Sequence, residues 1–98
     1  MDEIARIWEI HKQSKYPKGF GGHEIDGIDL TLLDCDIAGC VSVFLSHNHE
    51  LDKKRIATLS QCYRDITIVL NKLSEPELSY FSRLEKLASL ILKELSVV

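Results

Sequence analysis

Ninety-eight residues, 45% of them apolar and 28% charged, suffice for a single domain spanning 1–98 with its own core, and leave little room for a deep substrate cleft besides. The net charge is -3, from 12 Lys plus Arg against 15 Asp plus Glu, which argues against nucleic acid as a partner, because phosphate neutralisation needs a basic surface. No apolar run approaches the roughly 20 residues of a membrane span. The small basic clusters at Lys12, Lys15 and Lys18 and at Lys53-Lys54-Arg55 read as solvated helix ends.

The opening Met1-Asp2-Glu3 is acidic and turns amphipathic, unlike a secretory signal. Cys35, Cys40 and Cys62 are odd in number and sparse, so free thiols in a reducing, cytoplasmic setting are expected. A first helix is predicted from about Asp2 to Ser14, with Ile4, Ile7, Trp8 and His11 on one face. Asp2 and Glu3 sit at the end where the helix dipole favours carboxylates. Pro17, Gly19, Gly21 and Gly22 then mark a loop.

From His23 to Leu33 the pattern predicts a short hairpin or extended segment. Asp26-Gly27 suits a tight turn, and Ile28, Leu30 and Leu32 alternate with Asp29 and Thr31. Asp36 is the expected N-cap of a helix over 37–46 with Ile37, Cys40, Val41 and Phe44 on one face; Val41, Val43 and Phe44 would equally suit a strand.

The second half carries the clearest period. Asp52 can cap a helix through Ile56, Leu59, Tyr63, Ile66, Leu70 and Leu73. Ser74-Glu75-Pro76-Glu77 has the form of a capping box before a helix through Phe81, Leu84, Ala88, Ile91 and Leu95. Two amphipathic helices joined so closely must fold back on each other. The expected fold is therefore mainly α: a small irregular bundle of about four helices, a short β-hairpin or extended segment after helix 1, and a closing antiparallel helical hairpin. Trp8, Phe44, Tyr63, Phe81 and Leu84 are its expected core.

Four features bear on function. Ile28 to Asp36 resembles the first motif of haloacid-dehalogenase-type phosphatases, in which an apolar strand delivers a nucleophilic Asp followed two residues later by an acid/base Asp. The resemblance implies that Asp34 and Asp36 share a magnesium ion or divide those roles. It covers nine residues, and the parallel sheet, later Lys and second acidic motif of such enzymes have no counterpart in the helical pattern downstream. The alternative is a helix-capping turn. His47 and His49 flank Asn48 as a second candidate metal pair, or form a polar connection with Asn48 in a left-handed cap.

Lys18-Gly19-Phe20-Gly21-Gly22-His23 lacks the strand and helix of a phosphate cradle, and reads as a recognition loop or as a connection folding Phe20 onto the core. The final helix is apolar over much of its circumference, with Leu78, Leu87, Leu90 and Leu92 beside its main stripe; it is either central or covers a partner. Catalytic pairings are thin, since Cys62 and His11 both lie on apolar faces. No cofactor is expected. The leading expectation is a non-enzymatic protein-interaction or regulatory module, using Phe20, Gly21, Asp26, Asp34, Asp36 and Leu90. A metal-dependent site and a structural homodimer are the alternatives.

Overall fold

A computed structural model describes residues 2–17 and 23–96. The chain forms α1 (Glu3–Lys12), β1 (Glu24–Ile25), β2 (Ile28–Asp29), α2 (Leu30–Ser46), α3 (Lys53–Leu70) and α4 (Glu77–Glu94). None of these helices is long and apolar enough to cross a membrane.

Asp2 caps α1 by accepting from the Ile4 N–H, satisfying one of the donors that a helix start leaves free. The strands form one antiparallel pair, Glu24 opposite Asp29 and Ile25 opposite Ile28. Asp26 and Gly27, at φ 53° and 80°, make the turn between them. Positive φ at both central residues is what a two-residue hairpin matching the strand twist requires, and Asp-Gly supplies it with little strain.

The structure corrects the sequence reading just after this turn. The alternation of Ile28, Leu30 and Leu32 suggested extended chain up to Leu33. Instead the helix begins at Leu30, capped by Asp29, whose carboxylate accepts from the Leu32 N–H. Leu30, Leu33, Ile37, Cys40, Val41 and Phe44 become one buried stripe. A helix from Leu30 buries Leu30 with Leu33 and turns Leu32 outward, whereas a strand would have placed Leu30 and Leu32 together. Asp36 is thus inside α2 and is not its N-cap. The segment 37–46 is helical throughout.

At the far end of α2, Asn48 takes φ 56° and the His49 N–H reaches the Phe44 carbonyl at 2.9 Å. That is a Schellman closure, and the usual apolar contact across it is here the His49 ring stacked on Phe44, centroids 4.6 Å apart. Asp52 caps α3 as its position suggested, accepting from the Arg55 N–H. The Arg55 guanidinium beside it lowers the Asp52 carboxyl below its ordinary range. The expected capping box at α4 does not form. Pro76 occupies the N-cap with no side-chain cap bond, and the Glu75 carboxylate accepts from the Ser79 N–H and hydroxyl in its place.

Helices α3 and α4 make the broadest helix–helix interface, the expected closing hairpin, and α4 packs against each of the other three. That central position explains its apolar circumference: Phe81, Leu84, Leu87, Ala88, Ile91 and Leu92 are buried, and Leu90 and Leu95 pack against the core from its edge. Phe44, Phe81 and Leu84 are fully buried, while Trp8 and Tyr63 flank them half-buried.

Candidate functional site

Polar side chains meet where α1, α2 and α4 converge. His11 lies in the last turn of α1 and is only 5% exposed, the one buried polar or charged residue among those described. Its Nδ1 accepts from Arg83 Nε at 3.3 Å, and its Nε2 faces Asp34 Oδ1 at 3.8 Å, beyond hydrogen-bonding reach. Asp34, from the first turns of α2, receives the Tyr80 hydroxyl on both oxygens at 3.1 Å. Tyr80 and Arg83 are three apart on α4, so they share a face. The Arg83 guanidinium carbon is 5.7 Å from the Tyr80 ring centroid.

Aromatic rings close the cluster. Tyr80 tilts against His11 at 4.5 Å and meets Tyr16 edge-on at 5.5 Å, and Trp8 stacks with His11 at 6.1 Å. Burial first, and then the Asp34 charge, push the Tyr80 phenol well above its ordinary value, and burial raises Tyr16 too. Both phenols therefore stay protonated as donors. No hydroxyl or thiol hydrogen-bonds to His11 among the described residues. Neither Tyr80 nor Arg83 stood out in the sequence. Their partners lie 46 and 72 positions away, and no local period reports such a pairing.

A second feature lies on the surface. Gly27, Ile28, Asp29, Leu32, Leu33, Asp36 and Asp65 line one shallow depression where the hairpin and α2 meet α3. Leu32 is 57% exposed within it. Ile68 is 46% exposed one helical turn beyond Asp65, and so borders the same face. Asp26 sits in the adjoining turn, ion-paired with Lys72 at 2.9 Å. No cation among the described residues pairs with Asp29, Asp36 or Asp65.

The sequence-derived candidates are dispersed. Asp26 and Asp36 border the acidic depression. Asp34 turns the other way, since residues two apart on a helix point to divergent sides. The two carboxylates therefore cannot share one magnesium ion as the phosphatase resemblance implied, and the strand that would present them is a helix. His47 Nδ1 lies 3.0 Å from both the Ser46 hydroxyl and the Val43 carbonyl. His49 places Nε2 3.1 Å from Asp2 and Nδ1 2.7 Å from Glu94, tying the end of α2 to α1 and α4. No group of three or more His, Cys, Asp or Glu among the described residues is placed to hold a metal ion. Leu90 is part of the edge of the core. Phe20 and Gly21 lie outside the described residues.

Cys40 and Cys62 are buried, and burial raises both thiols, Cys62 up to about 12. Neither is poised as a nucleophile. The chain matches no family model, and comparison with curated proteins and with solved structures likewise finds no match.

Proposed function

We propose that this chain is a small non-enzymatic protein-interaction module that docks a basic, partly apolar partner on the face around Leu32. The observation that carries this reading is the exposure of Leu32, with Ile68 nearby, inside a rim of Asp29, Asp36 and Asp65. Covering a Leu side chain stabilises by roughly 1.5–3 kcal/mol, so an exposed one beside carboxylates that have no ion-pair partner among the described residues favours a partner that brings both apolar surface and cations. Such a rim speeds encounter with a cationic surface and repels acidic ones. It also disfavours self-association through this face, since a second copy would set carboxylates against carboxylates. On this reading Asp26 and Asp36 belong to the docking face, and Asp34, which holds the Tyr80 hydroxyl, does not.

The test is site-specific photo-crosslinking in the source cell, with the probe at residue 32 and, as control, at Ile10, which is exposed on α1. One protein with a basic surface, captured at 32, absent at 10 and lost in Ile68→Glu, supports the proposal. Identical capture from both positions, or a captured partner that is acidic, refutes it.

A further inference from the structure

The loop after α1 brings Lys15, Tyr16 and Pro17 against the start of α4, where Pro76, Ser79, Tyr80 and Arg83 recur at three- and four-residue steps on one face. Together they line an open cavity of about 550 Å³, the size of a small-molecule site. Its walls are two tyrosine rings meeting edge-on and two prolines; its polar groups are Lys15 at the exposed side, Ser79 and Arg83.

Arg83 makes this more than a dent. Arg6, Lys12, Arg55 and Lys72 each have an acid within 4 Å; Lys15, Lys53, Lys54, Arg64, Lys86 and Lys93 have none but are exposed, and Arg83 is the one half-buried Lys or Arg among the described residues and also has none. The nearby acids are already engaged. Asp34 holds the Tyr80 hydroxyl, and Glu75 holds the Ser79 hydroxyl. The Arg83 Nε donates to His11 and its guanidinium carbon lies 5.7 Å from the Tyr80 ring centroid, while its two terminal nitrogens have no partner among the described residues. A guanidinium fork matches a carboxylate bidentately, and one held in place beforehand loses little freedom on binding.

We infer that this groove binds a small aromatic carboxylate: the acid group on the terminal nitrogens of Arg83 with Lys15 at the mouth, and the flat body against Tyr16, Tyr80 and the prolines. The site is independent of the Leu32 face, and either reading can fail alone.

Benzoate, benzamide and acetate titrated into the full chain, read by amide chemical shifts and by calorimetry, test the inference. Benzoate should bind at least about tenfold more tightly than benzamide, because its hydrogen bonds to Arg83 are charge-assisted, and more tightly than acetate, which lacks the ring. Arg83→Gln should erase the preference over benzamide. Nuclear Overhauser contacts from benzoate ring protons to Tyr16 and Tyr80 in the unaltered protein place the ligand independently of any effect of the substitution on folding. No binding at 10 millimolar (about the weakest a useful site of this kind would show), equal binding of benzamide, or contacts elsewhere overturns it.

Discussion

Replacing Tyr80 with Phe removes one oxygen atom and nothing of the ring packing, so it isolates the hydroxyl that holds Asp34. That hydroxyl donates to both carboxylate oxygens at 3.1 Å, in a site where Asp34 is 18% exposed. A hydrogen bond to a charged group contributes about 1.5–3 kcal/mol net, and residual water at Asp34 replaces part of it, which sets the expected loss at about 1.5–2 kcal/mol. For a domain of this size that lowers the melting temperature by roughly 6–16 °C. Asp34→Ala loses the same bond from the other side, and the pair in one chain completes a double-mutant cycle. The coupling expected by chemical denaturation is about 1–2 kcal/mol. Additive effects, with coupling under about 0.3 kcal/mol, would show that the contact carries no stability and that α2 and α4 are held by apolar packing alone.

The raised phenols give an alkaline prediction with a definite sign. Because burial lifts the folded values of Tyr80 and Tyr16 above the ordinary phenol value of about 10, their contribution is complete below that pH and disappears as pH rises through the folded values. Denaturant midpoints should therefore fall above about pH 10, with a shallower fall in Tyr80→Phe; equal slopes in both proteins would remove the phenol as the cause. A water-soluble thiol reagent should modify exposed Cys35 rapidly, with Cys40 and Cys62 reacting only on unfolding; three equally fast thiols in the native protein would contradict their burial. Gly27→Ala should cost about 1–2 kcal/mol, purely from the backbone, because φ is +80° and a Cβ there meets nothing within 4 Å. A midpoint that does not move would mean the hairpin turn is not formed in solution.

How legible the molecule was depended on which residues compete for one pattern. In α3 a single apolar stripe runs the length of an 18-residue helix, and only a helix gathers Leu59, Cys62, Ile66 and Val69 on one side. In Ile28 to Leu33 the same leucines satisfy period two and period 3.6 at once, and the cap at Asp29 decides the matter by ending the strand two residues after the turn. Asp34 and Asp36 looked like a pair because they are close along the chain; the helix separates them. Tyr80 and Arg83 were silent because each resembles an ordinary edge residue of an amphipathic helix until α1 and α2 pack over it.

The arrangement around His11 favours positioning over proton transfer. With Arg83 donating to Nδ1, that nitrogen carries no proton, and the other, Nε2, faces Asp34 Oδ1 at 3.8 Å. A general base needs an open nitrogen within hydrogen-bonding reach of the proton it removes, and here the ring is buried with one nitrogen engaged by Arg83 and the other turned toward Asp34. What the ring does accomplish is to anchor Arg83 Nε, and Tyr80 does the same for Asp34 while its face supports the guanidinium. Leaving Nε2 buried without a bond costs about 1–3 kcal/mol, a strain an apolar residue at position 11 would avoid. An apolar residue there could not hold the Arg83 fork, and the same histidine that is imperfect as a core residue is well suited to fixing the half-buried cation of the groove among the tyrosines.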